Sequence, residues 1–172
     1  MIELLRTRRS IRKYTKQQIE PEKLDIMKEA VLRSPSSKGI NPWRFIFIDD
    51  RETIQKLKVS KPTGTGPLET APLAVVFCAN DTVNDAWVED CSIAAIILQL
   101  TAHSLGLGSC WIHAHYRMHS ETVSSEEYVR GLLGIPENYH VLCAVTVGYS
   151  ARETKGRPFE ELQFGKIKTN HF

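Results

Sequence analysis

The sequence predicts a single α+β domain over residues 1–172. Three observations predict it. The chain has 172 residues, 42% of them apolar, which suits one well-filled core. Helix-like and strand-like segments are interspersed without the regular βαβα rhythm of a doubly wound sheet. No repeat and no linker-like stretch divides the chain.

The elements follow in order. Residues 2–8 read as a short helix running into a group of arginines. Residues 15–21 are a connector, and Pro21 opens a helix to about Arg33, with Leu24, Met27 and Val31 on one face. Pro35 ends it, and residues 34–42 form a loop rich in turn formers. Residues 44–48, aromatic and β-branched, are a strand, followed by a short helix over about 51–58. Residues 60–72 hold Pro62, Gly64, Gly66, Pro67 and Pro72. They are expected to form a long mobile loop, the best candidate for a lid over a substrate. Residues 73–79 are an apolar strand. Residues 84–105 are a long helix, about 30 Å at the usual rise, apolar on most sides from Ile93 onward, with Gly106 as its stop. Residues 109–114 are a third strand. Ser124 and Glu127 make a capping box for a helix to about Leu133. Residues 141–147 are a nearly unbroken apolar strand. The charged tail, 150–172, cannot make a core alone and is expected to pack on a partner subunit.

The charge balance excludes several roles. Lys and Arg total 22 against 20 Asp and Glu, a formal net charge of +2, too even for a nucleic-acid binder. Any basic cluster must act locally, on a small anion. The N-terminus has no apolar signal segment. The longest apolar stretch, Ile93 to Leu107, is interrupted by Gln99, His103 and Ser104, so no membrane role is expected. Cys78, Cys91, Cys110 and Cys143 form no Cys-x-x-Cys pair and read as buried free thiols, in keeping with a reducing cytoplasm.

Two basic clusters stand at opposite ends of the chain: Arg8-Arg9-Ser10-Ile11-Arg12 and Lys155-Gly156-Arg157. A phosphate needs several converging N–H donors, and these clusters are candidate halves of one phosphate site. The loop Pro35-Ser36-Ser37-Lys38-Gly39-Ile40-Asn41-Pro42-Trp43 supplies hydroxyls and an amide able to read the edge of a polar heterocycle, or else only joins a helix to a strand. Gly106-Leu107-Gly108 before a strand permits close approach of backbone to a planar ligand, although it lacks the spacing of a dinucleotide fingerprint. His113, His115 and His119 are a rival constellation, a metal-binding module in which no carboxylate or cysteine at suitable spacing completes the site.

Taken together these segments resemble the nitroreductase family of flavin-dependent oxidoreductases. The resemblance rests on Arg8-Arg9-Ser10-Ile11-Arg12, on Ser34-Pro35-Ser36-Ser37 leading to Asn41-Pro42-Trp43-Arg44-Phe45, and on Ala71-Pro72 before a strand. It continues through Ala102-His103-Ser104-Leu105-Gly106-Leu107-Gly108-Ser109 to Gly148-Tyr149-Ser150 with Lys155-Gly156-Arg157. The segments occur in family order over residues 6–158. The resemblance implies a mostly antiparallel sheet flanked by helices, in an intertwined homodimer with FMN at the interface and NADH or NADPH as electron donor. It implies that Arg8, Arg9, Ser10 and Arg12 hold the phosphate and ribityl region, that Lys155 and Arg157 close the phosphate site, and that Pro35, Ser36 and Ser37, with Asn41 nearby, come from the other subunit. It places the backbone around Trp111, Ile112 and His113 at the reactive flavin edge, with flavin N5 rather than a side chain carrying the hydride and His113 a weak candidate proton donor. Two departures bear on the substrate. Gly39 and Asn41 stand where the family usually has Asn and Gln, and the chain has no room for the helical insertions of larger members. A flavin-binding or flavin-modifying protein without reductase activity is the alternative within the same fold.

Overall fold

The computed structural model describes residues 1–172, and its elements follow the order expected. They are α1 (Ile2–Thr7), α2 (Pro21–Leu32), β1 (Trp43–Ile48), α3 (Arg51–Lys58), β2 (Leu73–Ala79), α4 (Trp87–Ser104), β3 (Gly108–His113), α5 (Ser125–Leu133) and β4 (His140–Gly148). The local chemistry sets several boundaries. Asp50 caps α3 by accepting from the Thr53 N–H at 2.8 Å, and Ser124 caps α5 from the Glu127 N–H at 3.0 Å. Gly106, at φ +78°, closes α4: its N–H donates to the His103 carbonyl while the Leu107 N–H reaches back to that of Ala102.

The four strands form one antiparallel sheet in the order β1-β2-β4-β3. β2 and β4 are interior, and every residue of β2 is buried. One face packs Trp43, Leu73, Val75, Phe77, Val145 and Val147 against α2 and α4; the other packs Ala74, Val76, Cys78, Ile112 and Ala144 beneath α3 and α5. The four cysteines are buried and unpaired. No helix is long and apolar enough to cross a membrane.

Two sequence expectations are corrected. The segment 60–72 is not an open mobile loop: it holds a 3-10 turn at Gly66–Glu69, and Leu68, Pro67 and Ala71 are buried, Leu68 within the core under α3. Its prolines and glycines fix a path along the surface of the core instead of freeing the chain. The helix over 84–105 is shorter at its start, beginning at Trp87, and is not wholly interior, since Ile93 and Ile96 are exposed. They belong with Ile2 and Leu5 of α1 and with Phe159, Leu162, Phe164, Ile167 and Phe172 of the tail, all exposed.

Candidate functional site

The two basic clusters meet because the strap Ser10–Thr15 is stitched across the end of the sheet. Ser10 bridges Ser109 of β3, and the Ile11 N–H donates to the Ser109 carbonyl at 2.9 Å. On the other side Tyr14 bridges Ser150, and the Ala151 N–H donates to the Lys13 carbonyl at 3.0 Å. The buried Tyr14 hydroxyl donates to the Ile11 carbonyl and lies 2.7 Å from Thr146 Oγ1. Burial holds its phenol above the usual range, so the ring stays a neutral hydrogen-bonded peg. Gly108 and Gly148 face one another in the β3–β4 register. A Cβ on Gly108 would overlap the Ile11 side chain, and one on Gly148 would come within 2.6 Å of Pro72 Cδ and 3.0 Å of Tyr14 Cδ1. Gly108 therefore makes room for the strap, not for a planar ligand directly.

Docking the strap sets Arg8–Arg12 beside the chain that leaves β4. A hollow of about 360 Å³ is lined by Arg9, His103, Gly106, Gly108, Arg152 and Lys155, among others. A neighbouring one, about 240 Å³, is lined by Ser10, Arg12, Lys13 and Ser150 with Arg152 and Thr154. Lys155 is anchored by Gly156, whose absent side chain lets it lie against the Arg6 carbonyl, where a Cβ would overlap. Arg8 is half-buried, and its Nη1 is fully buried with no hydrogen-bond partner. A buried guanidinium nitrogen without an acceptor is costly unless an anion supplies one. Neither Arg8 nor Arg157 lines either hollow; Arg157 Nε lies 3.9 Å from the Glu161 carboxylate.

The Ser/Pro loop stands apart from these hollows, neither of which includes a residue from 35–41. Its shape is built internally. The Ser36 hydroxyl donates to Asn41 Oδ1 at 2.7 Å and accepts from the Asn41 N–H at 2.8 Å. The Ser37 N–H donates at 2.8 Å to Asp90, a buried carboxylate that also accepts from Asn84 Nδ2 at 2.6 Å. Lys38, Gly39 and Asn41 all have positive φ, at 54°, 66° and 54°. Gly39 follows Lys38 in the left-handed region before Ile40 returns to right-handed backbone, which explains a glycine at that position. Pro35 is exposed at the start of the loop.

β3 is an edge strand, and the strap covers its outer edge only at Ser10 and Ile11. Trp111 and His113 lie on one face with rings 6.1 Å apart, while the Ile112 side chain is buried in the opposite core, leaving only its backbone for a ligand. At about 3.3 Å per residue, β3 carries the chain about 17 Å from the basic hollows to His113. Burial first, then Arg117 and Lys61, hold the His113 imidazole below its ordinary range. It is therefore neutral at neutral pH, a hydrogen-bonding group rather than a ready acid.

The three histidines of the rival metal motif do not converge. His115 Nδ1 lies 2.6 Å from Glu126 Oε1, and His119 Nδ1 lies 2.7 Å from the Val59 carbonyl. No group of three or more His, Cys, Asp or Glu side chains is placed to hold a metal ion. Sequence reasoning missed His103, Arg152, Lys61 and Arg117. His103 Nε2 lies 2.8 Å from Thr7 Oγ1, which itself donates to the Glu3 carbonyl; the sequence offered it only as part of the Ala102–Ser109 segment and as a break in the apolar run, with no role attached.

Comparison with known proteins bears on this geometry. The nitroreductase family model matches residues 5–62 and 59–149. An FMN-dependent nitroreductase of Clostridium difficile superposes with a TM-score of 0.97 at 44% identity, covering 100% of both chains. An Archaeoglobus fulgidus protein, provisionally named NADH dehydrogenase/NAD(P)H nitroreductase, is 36% identical over 156 residues, 88% of this chain and 86% of that one. A Bacillus subtilis FMN reductase [NAD(P)H] is 28% identical over 180 residues, 92% of this chain and 69% of that protein.

Proposed function

The chain belongs to the nitroreductase family, and from that premise we propose that it is an FMN-dependent oxidoreductase taking a hydride from NADH or NADPH and passing it to an oxidised small molecule, a nitroaromatic, a quinone or similar, in a ping-pong cycle. The observation that carries this reading is the gathering of Arg9 and Lys155 around one hollow and of Ser10 and Arg12 around its neighbour, with the buried Arg8 Nη1, next in the chain to Arg9, left without a partner. That donor set fits a phosphate dianion at the end of a flavin side chain. When bound, FMN supplies hydride transfer at N5 in both half-reactions.

The chain's own residues bind and position. Arg8, Arg9 and Lys155 hold the phosphate, with Arg157 adding charge at the rim. Ser10 and Arg12, which line the second hollow further along the strap, would hold the ribityl region, and a cation near the pyrimidine edge would favour the reduced, anionic ring. The backbone from Trp111 to His113 would form the wall against the reactive edge. Pro35, Ser36, Ser37 and Asn41 come from a second subunit, which explains why they avoid the hollows of their own chain. The exposed apolar residues of α1, α4 and the tail support that homodimer, since large apolar side chains left exposed in this number suit an interface. A cytoplasmic location belongs to the same proposal, supported by four buried, unpaired cysteines.

Anaerobic stopped-flow mixing with NADH and with NADPH tests the reading. It predicts bleaching of the flavin bands by at least one nicotinamide and their return on adding an oxidised acceptor. Flavin that neither donor bleaches would leave a flavin-binding protein without reductase activity.

A further inference from the structure

The far end of β3 carries a second set of cations whose arrangement the phosphate site does not explain. Lys61 leaves α3, turns under Gly64 at φ +78°, and donates from Nζ to the His113 carbonyl at 2.7 Å. Arg117 comes back to the same strand end because its N–H donates to the Ala114 carbonyl at 3.0 Å and its carbonyl accepts from the Ser125 N–H at 2.7 Å. Neither cation has a carboxylate partner. The half-buried carboxylate nearby, Glu126, is committed to His115, to His140 at 3.3 Å and to the Val141 N–H at 3.1 Å. The cations also strain one another. Burial and then Arg117 hold the half-buried Lys61 ammonium below its ordinary range, and both cations help hold His113 down. Folding thus brings the Lys61 ammonium onto the His113 carbonyl and returns the exposed Arg117 to the same strand end, with its Nη1 donating only to the Tyr116 carbonyl at 3.4 Å, so neither cation has a counter-charge and an incoming anion would supply one.

We propose that the His113 end of β3 is a subsite for an anionic group on a molecule that reacts at the flavin, held by Lys61 and Arg117. The inference rests on the flavin reading above, which puts the reactive edge at His113. The recognised chemistry is a carboxylate or phosphate. Lys61 and Arg117 supply the charge, and His113, neutral, supplies one N–H. Two sources fit: an acidic group on the acceptor, or the 2′-phosphate that distinguishes NADPH from NADH.

Calorimetry on the FMN-loaded dimer, comparing wild type with Lys61→Gln/Arg117→Gln, separates them. The acceptor arm compares 4-nitrobenzoate with neutral 4-nitrobenzyl alcohol; the donor arm compares adenosine 2′,5′-bisphosphate with AMP. In one arm the double substitution lowers the preference for the more anionic probe by about tenfold or more, the scale of one lost charge-assisted bond. The arm that moves identifies the source. Preferences unchanged in both arms, or equal losses for both members of each pair, overturn the proposal. Should the variant fail to fold, wild type decides: raising NaCl from about 50 mM to about 500 mM must weaken the more anionic probe of one pair more than its counterpart, and equal salt dependence within both pairs overturns the subsite. A wild type without flavin absorbance overturns the flavin reading itself and this inference with it.

Discussion

β3 carries cations at both its ends, and the two ends are built differently. At Gly108 the charges come from the two termini of the chain, joined by the strap and by Gly156 lying on Arg6. At His113 they come from two turns that reach the same strand end. The first end holds a buried cation nitrogen with no acceptor; the second holds a half-buried ammonium on a backbone carbonyl. On the proposed reading the first end is a fixed cofactor anchor and the second a site for ligands that come and go.

Substitutions can break or sharpen that contrast. The largest effect is expected at Arg8. Arg8→Gln should weaken FMN binding about 100-fold while leaving riboflavin little changed, as loss of a buried charge-assisted contact implies. The same change should leave the thermal midpoint of the ligand-free protein unchanged or raised, because an uncompensated buried cation is removed. A drop in that midpoint would mean Arg8 serves the fold instead. Next is Asp90→Ala, which strips the acceptor from the Ser37 N–H and the Asn84 amide. It should cost about 2 kcal/mol, a fall of about 6 °C by calorimetry. FMN should also dissociate faster if the Ser/Pro loop serves the partner subunit's site. Gly156→Ala comes third: the added methyl must push the tail off Arg6, so FMN affinity should fall about tenfold through the displaced Lys155. The smallest effect lies at the other end of β3. The folded-state pKa of His113 is depressed, so its contribution is intact above the unfolded imidazole range and is lost as pH falls through the folded value. Midpoints measured from pH 7.5 down to about pH 5 should decline about 2 °C less for His113→Gln than for wild type.

Legibility in the sequence followed the range of the interaction. Local signals placed Pro21, the Asp50 and Ser124 helix starts and the Gly106 stop, because the residues that decide them lie within one turn. The apolar runs of β2 and β4 announced interior strands. What stayed hidden was set by contacts distant in sequence. Gly108 and Gly148 are glycines for the sake of Ile11, Tyr14 and Pro72, and Leu68 is core only because α3 and the sheet close over it. The arginine cluster and Lys155-Gly156-Arg157 were readable as paired motifs. Lys61 and Arg117 are ordinary loop cations until the fold brings them to His113.

The central claim is that the two terminal clusters make one phosphate site, and a flavin titration tests it most directly. FMN and riboflavin would be titrated into ligand-free wild type, Arg9→Gln, Lys155→Gln and the double variant, with binding read from flavin fluorescence. The account predicts that the double variant loses FMN affinity by about 50-fold or more, with non-additive single losses and riboflavin affinity changed by less than about threefold. Equal losses for FMN and riboflavin, or FMN binding untouched by the double substitution, would contradict it.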